Sequence, residues 1–182
     1  MSFDHALTRR ALLLALSATT LEALQHSHKQ VQAGSREFAY LSPGEAADLE
    51  ALAAVIVPTD DTPGAKEAGV IFFVDRALSG FDQEKRGLYR EGLAATRQKC
   101  RQMFPQSASI AALSPAQCRD LAESIEKTEF FEQLRTHTMI GFLAIPEWGG
   151  NRDKVGWKLI GFEDTGVFQP PFGYYDQAGE AK

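Results

Sequence analysis

Residues 129–164 read EFFEQLRTHTMIGFLAIPEWGGNRDKVGWKLIGFED, and the reading of this stretch decides the fold. Phe130, Phe131, Leu134, Thr138 and Phe142 recur at close to helical spacing, so the run predicts a helix with one apolar stripe. His137 sits beside that stripe. Pro146 stops the helix, because its nitrogen carries no hydrogen and its ring clashes with the preceding turn. Gly149 and Gly150 then allow backbone angles that other residues resist. Asn151 is placed to cap the segment that follows, which carries Arg152, Asp153, Lys154 and Trp157. Aromatics, glycines and charges mixed this densely predict a rigid, packed loop that presents polar groups, not a plain surface connection.

Outward from this stretch the punctuation stays helical. Ser42-Pro43-Gly44-Glu45 and Ser114-Pro115-Ala116-Gln117 each have the pattern of a capping box with proline at the first helical position. Leu49, Leu52, Ala53 and Ile56 give the first domain helix its apolar face, and Pro58 ends it. A second helix is expected over residues 65–79, with Val70, Ile71, Phe73, Val74 and Leu78, broken at Gly80-Phe81-Asp82. A third runs to about Phe104 with Leu88, Tyr89, Leu93, Ala94 and Cys100. A fourth runs to about Lys127 with Leu121 and Ile125 inward, and Thr128 caps the helix that carries His137. No segment alternates at period two and no Asn-Gly hairpin turn occurs. The expected fold is all-α: a compact, bundle-like domain over residues 40–182, ending in an extended tail. In that tail Pro170-Pro171 disfavours helix. Phe168, Phe172, Tyr174 and Tyr175 need a groove, on this domain or on a partner.

Composition narrows the functional classes. A chain of 182 residues suits one domain and one core. The formal net charge of −5 argues against a surface for nucleic acid. No Cys-x-x-Cys-His is present, which excludes covalently attached haem c, and two cysteines are too few for a cysteine-only iron–sulfur cluster. Cys100 and Cys118 are either one disulfide or two small buried thiols. Asp60 and Asp61 lack the spacing of a calcium loop and read as turn residues, and His26 and His28 do not face one another on a helix, so no metal site is expected. Neither Gly-x-Gly-x-x-Gly nor Gly-x-Ser-x-Gly occurs, so the chain is not expected to hold FAD or NAD, and no catalytic residue is assigned. The alternative is an independent exported hydrolase, with His137 paired to Asp153 or Asp164 for acid–base work.

Residues 1–33 read as a targeting segment and linker helix. Thr8-Arg9-Arg10-Ala11-Leu12-Leu13-Leu14 has the layout of a twin-arginine export signal. The apolar run over residues 11–16 is too short for a bilayer core, which needs about 20 helical residues. The other reading of Arg9 and Arg10 is an amphipathic helix with an incidental pair.

Pro146-Glu147-Trp148-Gly149-Gly150-Asn151-Arg152-Asp153, followed by residues 156–162 (GWKLIGF), resembles the small subunit of gluconate 2-dehydrogenase, the subunit 3 family. Residues 56–65 (IVPTDDTPGA) and Ala68-Gly69-Val70 are similar to the same family, and the likeness spans roughly residues 40–176. The resemblance implies a small, non-catalytic subunit that stabilises a large FAD-dependent dehydrogenase of sugars, sugar acids or polyols. It also implies a cytochrome c partner, so that FAD and haem c belong to the partners and no cofactor to this chain. It further implies that the small subunit brings the twin-arginine translocase signal for a complex working in the periplasm, held at the inner membrane through partners. Trp148, Asn151, Arg152, Trp157, Phe168, Phe172, Tyr174 and Tyr175 are the candidate interface residues. His137 and Asp153 are the candidate polar core.

Overall fold

Ser42 Oγ accepts from the Glu45 N–H while a Glu45 carboxylate oxygen accepts from the Ser42 N–H, and this reciprocal box opens helix α1 (Pro43–Ile56). In the computed structural model, which describes residues 37–167, five further α-helices follow: α2 (Val70–Ser79), α3 (Arg86–Met103), α4 (Pro115–Ile125), α5 (Glu129–Leu143) and α6 (Val155–Leu159). Ser114 and Gln117 repeat the box at α4, and Thr128 Oγ1 accepts from the Phe131 N–H to start α5. Each such cap contributes about 1 kcal/mol. Single 3-10 turns lie at Gln83–Lys85, Ile110–Ala112, Pro146–Trp148 and Arg152–Lys154, and no strand occurs among the described residues. The all-α expectation therefore holds. Arg9, Arg10, the linker and the tail residues Phe168, Phe172, Tyr174 and Tyr175 lie outside the described residues.

Helix α5 is the one on which the others converge, packing on α2, α3 and α1. Phe130, Leu134, His137, Thr138, Gly141 and Phe142 form its buried face, on which Tyr89 of α3 meets Phe130 and His137, and Phe73 of α2 meets His137 and Gly141. A side chain at Gly92 of α3 would meet the Phe130 ring at 2.2 Å, so α5 approaches α3 to a distance that only glycine allows. Among the described residues no helix is long and apolar enough to cross a membrane.

Helix α2 starts later than the apolar pattern suggests. Residues 65–69 form turns, and Gly69 is left-handed at φ 65°, which ends any helical run from the left and lets α2 begin at Val70. The acidic loop is a turn, as its spacing indicates: Asp60 accepts from both the N–H and the hydroxyl of Thr62, and those bonds hold its carboxyl below the usual range. Cys100 and Cys118 are buried free thiols, so the disulfide alternative is corrected. The Cys118 thiol is turned to the Ala51 carbonyl of α1. Burial, with the nearby Cys100 sulfur and Asp48, pushes it up to about 11. Two buried acids escape a reading of periodicity. Asp48 ties α1 to Arg97 of α3 (2.7 Å) and to the Ala111 N–H (3.0 Å), while Asp75 accepts from the Tyr40 and Leu41 N–H groups.

Candidate functional site

The far end of α5 enters a clasp centred on Asn151. This side chain is fully buried, and its amide serves backbone on both sides. Nδ2 donates to the Ala144 carbonyl and Oδ1 accepts from the Gly156 N–H, both at 2.9 Å, so the end of α5 is tied to the start of α6. Trp157 Nε1 donates to the Leu143 carbonyl at 2.7 Å, and the Arg152 N–H to the Ala68 carbonyl at 2.9 Å. The glycines make room: a Cβ on Gly150 would sit 2.0 Å from the Gly141 carbonyl oxygen, and one on Gly156 equally close to that of Phe142. Asn151, Asp153 and Lys154 take φ of 45°, 56° and 56°. This left-handed region costs residues other than glycine roughly 1–2 kcal/mol, least for Asn and Asp. The hydrogen bonds of Asn151 and Trp157 hold the loop there.

One turn and a half earlier on α5, His137 is the centre of a second buried polar cluster. It is 1% exposed. Its ring stacks on Tyr89 (centroids 5.6 Å, interplanar angle 21°) and takes Phe73 edge-on at 6.1 Å. Nδ1 lies 2.8 Å from Tyr89 Oη, and Nε2 lies 2.8 Å from Asp82 Oδ2, with the Gln133 side-chain amide 3.0 Å from the same nitrogen. Burial, reinforced by the Asp82 charge, raises the Tyr89 phenol far above its ordinary range. The phenol keeps its proton; if it donates to Nδ1, Nε2 carries the ring proton and faces Asp82 Oδ2. Asp82 is 27% exposed and is the link between this cluster and solvent.

Above the cluster the surface opens into an apolar cleft of about 280 Å³. Phe73, His137 and Asp82 line its floor. Phe81, Ile140, Ile145 and Trp148 form its walls, each about half exposed, with Phe81 and Trp148 edge to face at 5.5 Å. Arg76 reaches the Glu147 carbonyl and braces the Trp148 turn against α2.

A Tyr–His–Asp chain resembles an acid–base relay, but its geometry opposes hydrolysis. The hydroxyl end is the buried one, because Tyr89 is 2% exposed, and a substrate entering the cleft would meet the Asp82 carboxylate and not a nucleophile. The pairing expected for His137 is also corrected. Asp153 and Asp164 are exposed, and Asp164 pairs with Lys154. The true acid, Asp82, lies in the break between α2 and α3, where the sequence marks only a turn. Among the described residues no three His, Cys, Asp or Glu side chains are grouped to hold a metal ion.

The expected interface residues separate. Trp148 stands on the cleft rim. Arg152 is exposed, with its guanidinium over the Phe72 ring at 5.2 Å, and Trp157 is half-buried and engaged with Leu143 and Phe162. Asn151 is corrected from surface to interior, since both ends of its amide are consumed by backbone. Asp153 belongs to the exposed side of the clasp and not to a polar core. Tyr89, Asp82 and Phe81 were missed. Their only signal is an aromatic residue in an apolar face and a Gly-Phe-Asp break.

A family model described as gluconate 2-dehydrogenase subunit 3 matches residues 43–164, more than half of the chain. No curated protein and no solved structure matches it.

Proposed function

Because the chain belongs to the gluconate 2-dehydrogenase subunit 3 family, we propose that it is the small, non-catalytic subunit of a membrane-associated, FAD-dependent dehydrogenase complex. It stabilises the flavoprotein subunit and supplies its twin-arginine export signal through Arg9 and Arg10. The substrate oxidised by the large subunit is a sugar, a sugar acid or a polyol. Electrons leave its FAD for a cytochrome c subunit, and the complex works in the periplasm at the inner membrane.

The observation that carries this reading, beside the family match, is the cleft. Tyr89 and His137 are sealed below and only the Asp82 carboxylate reaches the cleft, while half-exposed aromatic and branched side chains face outward. Large apolar groups gathered at one exposed site favour an anchoring surface over a reaction centre. The sequence has neither a haem c attachment motif nor a dinucleotide fingerprint, which agrees with redox groups held by other subunits. A twin-arginine signal suits the escort role, because a flavoprotein that loads FAD in the cytoplasm crosses already folded. Replacing Arg9→Lys together with Arg10→Lys is expected to leave the flavoprotein subunit in the cytoplasm and to abolish periplasmic dehydrogenase activity. Undiminished export of the large subunit by that variant would sink the escort role.

A further inference from the structure

Among the described residues Asp82 is the one carboxylate that lines the cleft, and it is held from behind. His137 Nε2 binds its Oδ2, and Tyr89 fixes the His137 ring in turn. No hydrogen bond to Oδ1 is formed among the described residues, and the carboxyl group is partly open to the cleft. The carboxylate is therefore pre-oriented, with one oxygen spent inside and the other turned to solvent. The walls around it are Phe81, Ile140, Ile145 and Trp148.

This arrangement selects its occupant by charge. A purely apolar group seated here would strip water from Asp82 and leave its second oxygen without a partner, which is costly. A group that brings a cation with it avoids that cost and gains a pair strengthened by the dry aromatic walls. At about 280 Å³ the cleft is at the small end for pockets that enclose whole small molecules, which run from about 300 to 1,000 Å³. It suits an anchor side chain presented by a protein surface.

We propose that this cleft receives an apolar side chain of the large dehydrogenase subunit, flanked by a lysine or arginine that pairs with Asp82. The assignment rests on the accessory-subunit reading above. Trp148 and Phe81 supply the anchoring area, and Asp82 sets which partner surface fits and makes the contact sensitive to salt. Ile160, a large apolar side chain that is exposed and does not line the cleft, serves as the internal control.

The test uses the full chain and the purified flavoprotein subunit, with binding followed by the flavin absorbance of the captured partner. Trp148→Ser and Phe81→Ser are each expected to weaken binding by about tenfold or more. Asp82→Asn is expected to weaken it by a similar factor and to flatten its salt dependence, whereas Ile160→Ser changes it by no more than about twofold. Both rim substitutions are at exposed positions, so they remain informative should Asp82→Asn disturb the His137 cluster; melting curves check each fold. Unchanged binding by both rim variants, or a wild-type salt dependence in a folded Asp82→Asn, overturns the proposal while leaving the subunit reading standing. So does a dimer of this chain alone that Trp148→Ser abolishes, because the occupant is then a second copy. A wild-type chain that does not bind the flavoprotein at all refutes the subunit reading and this assignment with it.

Discussion

Asn151 and His137 are both polar, both fully buried and both set against α5, yet they are satisfied by opposite kinds of partner. Asn151 is consumed by the carbonyl of Ala144 and the N–H of Gly156, neither of which titrates or turns. His137 is held by Tyr89 and Asp82, both side chains, and Asp82 reaches solvent. The first centre is a fastening. The second is a fastening on its inner side and a chemical surface on its outer side. The difference shows that burial of a polar residue near a suggestive loop is no guide to function by itself; what decides is whether its network ends in backbone or at the surface.

The clasp is where substitution should cost most. Gly150→Ala places a methyl group against a backbone oxygen that has no freedom to move, and the expected loss is on the order of 4 kcal/mol or more in chemical denaturation. Asn151→Ala orphans one part-buried carbonyl and one buried N–H, for a loss of about 2 kcal/mol. If Asn151→Ala melted like the wild type, water would have to reach both groups, and the contrast with His137 would collapse.

At the other centre the expected loss is no larger than that of Asn151→Ala and is partly recoverable. His137→Leu removes the acceptor for Tyr89 but leaves Asp82 free to turn to water, and should cost about 2 kcal/mol. Adding Tyr89→Phe removes the stranded hydroxyl, so the double variant should regain about 1 kcal/mol in a mutant cycle. Strict additivity of the two losses would show that the Tyr89–His137 bond contributes nothing.

The smallest effect is one of pH, and it separates the two centres by kind. The Tyr89 phenol is raised in the fold above its ordinary 10.0, first by burial and then by the Asp82 charge. The folded chain thus keeps a proton that the unfolded chain releases. This contribution is complete below about pH 10 and is lost as pH rises beyond it. The difference in stability between the wild type and Tyr89→Phe should narrow above pH 10 in denaturant titrations, while the difference between the wild type and Asn151→Ala should hold constant. A Tyr89→Phe difference that is flat across that range would mean that the phenol is not sealed.

Much of this was legible along the chain. The boxes at Ser42 and Ser114, the cap at Thr128 and the stop before Pro146 lie where they were expected, because each is made by residues three or four apart. The start of α2 departs from the apolar pattern where a distant contact intervenes, since the Ala68 carbonyl beside left-handed Gly69 accepts from the Arg152 N–H. The site was half legible. His137 and Trp148 stood out by residue type. Asp82, Phe81 and Tyr89 did not, because a break residue and one aromatic in an apolar face carry no mark of the partner they meet.

Four of the helices, the caps at Ser42, Ser114 and Thr128, and the family are thus legible in the linear chain, because they depend on neighbours within a turn or on a linear pattern. Only the tertiary structure decided that the acid for His137 comes from 55 positions earlier and not from the loop that follows it. It also decided that Asn151 faces inward, and that Phe81 and Trp148 meet across the same cleft. The difference is one of range: a cap is closed by the backbone geometry of one turn, whereas these pairings exist only because the α2–α3 corner reaches His137 of α5 and the Trp148 turn is packed against α2.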